Sequence, residues 1–113
     1  MPQISIEYTT NLKNSEKLLA LGDPIHTLLV DNLPADRASC RTQFSCLDKF
    51  YITDGQSDQA FVHVKVRIMA GRTAEVLNHT GQLLLELIKK EIPSEQDVIL
   101  SVEIKMLSPH YFK

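Results

Sequence analysis

From Gln3 to Tyr8 the chain alternates with a period of two: Ile4, Ile6 and Tyr8 fall on one side, Gln3, Ser5 and Glu7 on the other. That spacing predicts a half-buried strand. Between residues 14 and 33 the period lengthens, with Leu18, Leu19, Leu21, Ile25, Leu28 and Leu29 at broadly helical intervals behind Asn14 or Ser15 as N-cap. Gly22 and Pro24 are expected to kink or divide this helix. Alternation returns over residues 39–53, where Cys40, Thr42, Phe44 and Cys46 oppose Arg41, Gln43 and Ser45. Asp54-Gly55-Gln56 predicts a turn. The clearest strand follows, with Ala60, Val62, Val64, Val66 and Ile68 on one face and Phe61, His63, Lys65 and Arg67 on the other.

After Ala70-Gly71-Arg72, Thr73 can cap a helix running to about Ile92, with Leu77, Leu84, Leu87 and Ile88 as its apolar stripe. Glu91-Ile92-Pro93-Ser94 should end it. A last strand from Asp97 to Leu107 turns Val98, Leu100, Val102, Ile104 and Met106 inward. The resulting order, βαββαβ, predicts an α+β fold spanning residues 1–113 as a single domain. Two similar βαβ units would form a four-stranded sheet with the two helices on one face. Phe61 and Ile99 leave the other face partly apolar, and an uncovered face of that kind invites oligomerisation.

A 113-residue chain that is 43% hydrophobic, with only four Gly and five Pro, can bury a core and has no low-complexity stretch. The net charge of -2, with Lys and Arg scattered, supplies no basic patch for nucleic acid. No apolar run reaches the ~18 residues of a membrane span, and the start has neither block of a signal peptide. The expectation is a cytoplasmic protein. Cys40 and Cys46 would lie on the order of 20 Å apart on one strand face, too far for a bridge, which needs Cα atoms within about 7 Å. They read as free thiols, which suits a reducing compartment. No CxxC or Cys/His cluster supports a metal site, and no cofactor is expected.

Pro2 has two readings. A proline costs no ladder hydrogen bond at a strand's first position. Alternatively, Met1 is removed and Pro2 presents a free secondary amine. The residues around the rest of the chain bear on that choice: Asp54-Gly55-Gln56, Ala60-Phe61-Val62-His63 and Ala70-Gly71-Arg72, taken with Pro2 and Arg41, resemble the 5-carboxymethyl-2-hydroxymuconate isomerase family of the tautomerase superfamily. The resemblance covers nearly the whole chain and is looser in the C-terminal third. It implies a trimer of two-βαβ subunits with sites near subunit interfaces, an amino-terminal proline as general base, and arginines that hold the substrate. Pro2 matches the first role; Arg41 and Arg72 match the second.

The implied substrate is a small anionic di- or tricarboxylate, a 2-hydroxymuconate from aromatic breakdown, and its isomerisation moves one proton. A base for this must be neutral near pH 7; an α-amino group titrates near ~8, against ~10.4 for lysine. Burial and nearby arginines lower that value further, while each guanidinium can grip a carboxylate through two hydrogen bonds. Taken alone, Arg41 reads as a solvated strand-edge charge, and Arg72 as a cation set against a helix dipole. His63 reads first as a structural hydrogen-bonding residue, and Phe61 as either pocket wall or subunit packing. Tyr111 and Phe112 in the tail share that last ambiguity. Two further functions stay open: a tautomerase of different specificity, such as one acting on phenylenolpyruvate, and a ligand-binding or assembly module without turnover.

Overall fold

The computed structural model describes residues 2–55, 58–92 and 95–113. Its elements are β1 (Gln3–Thr9), α1 (Ser15–Leu19), α2 (Gly22–Asn32), β2 (Arg41–Leu47), β3 (Ala60–Ile68), α3 (Ala74–Glu91) and β4 (Val98–Met106). They form one four-stranded sheet in the order β2-β1-β3-β4. β1 and β2 are parallel, as are β3 and β4, and the central pair β1 and β3 is antiparallel. Each parallel pair is closed by a helical crossover, which parallel strands require. The two βαβ units therefore meet along β1 and β3 in a twofold-like arrangement.

The period-two pattern sorts the faces. Ile4, Ile6 and Tyr8 lie opposite Val66, Val64 and Val62, and all six are buried. Ile25 and Leu29 of α2 and Leu84 and Ile88 of α3 complete this core. A fully buried aliphatic side chain contributes about 1.5–3 kcal/mol relative to exposure. The opposite face carries Gln3, Ser5 and Glu7, flanked by Arg41, Gln43 and Ser45 on β2 and by Arg67, Lys65 and His63 on β3.

The first helix is divided, as its glycine and proline suggest. Helix α1 stops at Leu19 and α2 restarts at Gly22. Pro24 thus falls in the first turn of α2, where its missing N–H would have no partner within the helix. Asn14 occupies the N-cap position of α1 but adopts a left-handed φ of 56° and makes no side-chain cap bond. Thr73 caps α3 as expected, its hydroxyl accepting from the Val76 N–H at 3.2 Å.

Two expectations are corrected. The second strand is shorter than 39–53: a 3₁₀ turn, Arg37–Ser39, precedes it, and it ends at Leu47. Leu47 lies opposite Thr9, the last residue of β1, so the chain beyond it has no strand to pair with. Met106 shares the helix-facing side of β4, opposite Ile68, but is not buried. It is 51% exposed, because β4 is an edge strand and its helix-facing residues, Val98, Leu100, Val102 and Ile104, are only half covered. The apolar stripe of α3 also includes buried Thr80, whose hydroxyl donates to the Val76 carbonyl at 2.8 Å.

The turn at Asp54-Gly55 is present: Gly55 has φ 77° and its N–H donates to the Ile52 carbonyl at 2.8 Å. A Cβ on Gly55 would meet the Tyr51 ring at 2.8 Å, so glycine is required there on two counts. The expectations for Met1, Gln56 and Pro93-Ser94 concern positions outside the described residues.

Candidate active site

Strand direction brings four chain segments to one end of the sheet: the starts of β1 and β2 and the ends of β3 and β4. Pro2 lies here and is buried. Its carbonyl accepts from the Arg41 N–H at 3.2 Å, which extends the ladder one step beyond β1. Cys40, next to Arg41, is buried as well, and burial pushes its thiol pKa up.

Arg41 extends from the first position of β2 on the uncovered face and is exposed. With Gln3, Ser5, Gln43 and Arg67 it lines a cavity of about 470 Å³. Arg72 is placed differently. It follows Gly71, which has φ 123°, and its guanidinium donates to the Met69 carbonyl at 3.0 Å and to the Leu33 carbonyl at 2.9 Å. Leu33 is the C-cap of α2. The cation set just before the N-terminus of α3 thus complements the negative end of α2. Arg72 also lines a second cavity, about 540 Å³, with Leu33, Pro34 and Gly71. The two cavities share no residue, so among the described residues Arg41 and Arg72 line separate concavities.

His63 and Phe61 sit farther along β3. At about 3.4 Å per residue they lie roughly 17 and 24 Å from Ile68, near which Pro2 lies. The His63 Nδ1 is 2.7 Å from the Ser101 hydroxyl, the structural hydrogen bond its position suggested. Phe61 lies opposite Ile99, which is 46% exposed. In the tail, the Tyr111 hydroxyl accepts from Gln3 Nε2 at 2.7 Å, while Phe112 is 87% exposed.

Arg67 carries no motif that singles it out in the sequence. The alternation along β3 does put it on the polar face, but only the strand order reveals that Gln3 stands between Arg67 and Arg41. Both cysteines are free. Among the described residues no helix is long and apolar enough to cross a membrane.

The family profile described as 5-carboxymethyl-2-hydroxymuconate isomerase matches residues 2–113. The curated 5-carboxymethyl-2-hydroxymuconate Delta-isomerase of Escherichia coli is 30% identical over 112 residues, covering 96% of this chain and 89% of that protein. A crystal structure of a 5-carboxymethyl-2-hydroxymuconate isomerase from Deinococcus radiodurans R1 superposes with a TM-score of 0.90 at 25% identity, covering 99% of this chain and 87% of the other. A fused 4-OT solved as a symmetric trimer shares the fold with a TM-score of 0.67 at 20% identity, over 88% of this chain and 82% of its own. With a profile match from Pro2 to the last residue and 30% identity across nearly all of both chains, this chain belongs to the 5-carboxymethyl-2-hydroxymuconate isomerase family.

Proposed function

We propose that the chain is a 5-carboxymethyl-2-hydroxymuconate Delta-isomerase of aromatic-compound breakdown, with the Pro2 nitrogen as its proton-transferring base. The family match across residues 2–113 carries this reading. A 2-hydroxymuconate is a dienol. Taking the proton from its 2-hydroxyl and delivering one to C5 converts it into the 2-oxo-3-ene isomer, with no net gain or loss of atoms. One amine, neutral near pH 7 and able to carry a single proton, is sufficient for both transfers.

Removal of Met1 gives Pro2 a basic lone pair, and its buried position favours the uncharged amine. Arg41 and Arg72 hold the substrate carboxylates and stabilise charge developing on the dienolate. Arg72 has two N–H groups committed to carbonyls, which leaves three of its five donors and a fixed orientation. The active assembly is a homotrimer with sites near subunit interfaces. The shared fold with a trimeric 4-OT supports it, and so does the separation of the Arg41 and Arg72 cavities within one chain: a neighbouring copy can bring the two arginines to one site. The protein works in the cytoplasm, where the free thiols of Cys40 and Cys46 remain reduced.

Intact-mass measurement first establishes that Met1 is absent. The purified protein is then assayed for conversion of 5-carboxymethyl-2-hydroxymuconate by its ultraviolet change, beside Pro2→Ala and a panel of mono- and dicarboxylate enols. Turnover that Pro2→Ala leaves untouched would remove Pro2 as the base, and a preference for phenylenolpyruvate would reassign the substrate.

A further inference from the structure

The sheet register places Gln3 opposite Arg41 on β2 and opposite Arg67 on β3. All three belong to the face that no helix covers. Neighbouring strands lie ~4.8 Å apart, so the two arginine Cα atoms stand roughly 10 Å apart across Gln3. Two long side chains can close that span onto a single anion. Both arginines are exposed, and both line the cavity of about 470 Å³ with Gln3, Ser5 and Gln43. The amide of Gln3 between them is held by Tyr111 at 2.7 Å.

The charge in this row is unbalanced. Beyond Arg67 the next residue in the row is Lys105 on β4. The carboxylates of this face stand in other rows, Glu103 opposite Lys65 and Glu7 opposite His63. Among the described residues neither the Arg41 nor the Arg67 guanidinium forms an ion pair, the pairs being Lys13–Asp58 and Arg37–Asp23. Like charges grouped across a sheet repel, and an anion between them relieves the repulsion. A carboxylate suits the place, since its two oxygens match the fork of a guanidinium.

We infer that Arg67 is a substrate-binding residue that joins Arg41 in gripping one carboxylate of the substrate above Gln3. The identity of the substrate rests on the isomerase reading; the carboxylate subsite does not. Gln3 directly follows Pro2, and the Arg41 N–H is bonded to the Pro2 carbonyl, so whatever the subsite grips is anchored to the strand end that carries Pro2.

Glutarate, a dicarboxylate with no enol to react, is the probe, titrated calorimetrically into the wild type, Arg67→Gln, Arg67→Lys and Lys105→Gln. Losing a charge-assisted pair of hydrogen bonds should weaken binding about tenfold in Arg67→Gln. Arg67→Lys should fall between, because lysine keeps the charge without the fork. Lys105→Gln should stay within about twofold, as expected of an exposed charge outside the grip. Unchanged binding in Arg67→Gln, an equal loss in Lys105→Gln, or no glutarate binding by the wild type would each overturn the inference. The muconate assay is run on the same wild-type preparation. Absence of turnover beside intact, Arg67-dependent glutarate binding sinks the isomerase reading and supports the subsite.

Discussion

Gln3 and Tyr111, 108 residues apart in sequence, are joined by a 2.7 Å hydrogen bond from the Gln3 amide to the Tyr111 hydroxyl. The bond ties the tail of the chain to the first residue of the central strand β1, beside the cavity that holds Arg41 and Arg67. Removing the hydroxyl in Tyr111→Phe should therefore cost about 0.5–1.5 kcal/mol at most. The larger effect should be local, with faster amide exchange confined to the residues after β4. Hydrogen exchange read by mass spectrometry checks this, and unchanged protection of the tail would argue against the tie.

Arg72 bridges the loop after β3 to the C-cap of α2 through the Met69 and Leu33 carbonyls, and Leu33 is fully buried. Arg72→Ala should lower stability by about 1–3 kcal/mol, since the buried carbonyl loses a charged donor. Arg72→Lys should recover only part, because an ammonium lacks the fork that reaches both oxygens. Urea denaturation of the three proteins measures it. A substrate-binding role alone would leave the midpoint where it is.

Gln96 is a buried polar residue serving three partners: its Oε1 accepts from the Lys13 N–H at 2.9 Å, and its Nε2 donates to the Asn11 and Asp58 carbonyls, each at 3.0 Å. It gathers the loops after β1, before β3 and before β4. Gln96→Ala should destabilise by about 1–3 kcal/mol through the groups it leaves unpaired, visible as a lower denaturation midpoint with an unchanged slope.

His26 on α2 lies 2.7 Å from the Thr42 hydroxyl on β2. Burial, followed by the charge of Arg37, lowers its pKa below the ordinary 6.5. A lowered histidine pKa means that the unfolded chain binds the proton first. Stability is then fully present above pH 6.5, and it declines as the pH falls from there toward the folded-state value. Denaturation at pH 7.5 and pH 5.5 should show this decline in the wild type and a smaller one in His26→Asn. Equal declines would assign the pH dependence to other groups.

Pro2→Ala converts the proposed base from a ring-held secondary amine to a mobile primary one. Its turnover should fall by about a hundredfold or more, the range of general acid–base contributions. Sedimentation should still find the wild-type assembly, because no ladder hydrogen bond is lost.

Much of this was legible in the chain. The period-two stretches gave β1 and β3 with the correct inward residues, because those strands are central and their alternation mirrors one covered and one uncovered face. The division of the first helix just ahead of Gly22 and Pro24, and the cap at Thr73, are likewise local events with local causes. The edge strands were harder to bound. Nothing in residues 48–53 announces that β1 ends at Thr9 and leaves β2 without a partner. Met106 has the alternation of a core residue but lies on a strand only partly covered by α3.

The sequence by itself determined the two faces of β1 and β3 and the cap of α3, since these depend on near neighbours, and its resemblance to a family is what points to Pro2, Arg41 and Arg72. Only the tertiary structure decided what each charge meets. Arg72 finds the C-terminus of a helix 39 residues upstream, and Arg41 finds Arg67 across Gln3. A guanidinium's role is set by the groups within a few ångströms of it, and in a mixed sheet those come from strands that are remote in sequence, brought together by the order β2-β1-β3-β4.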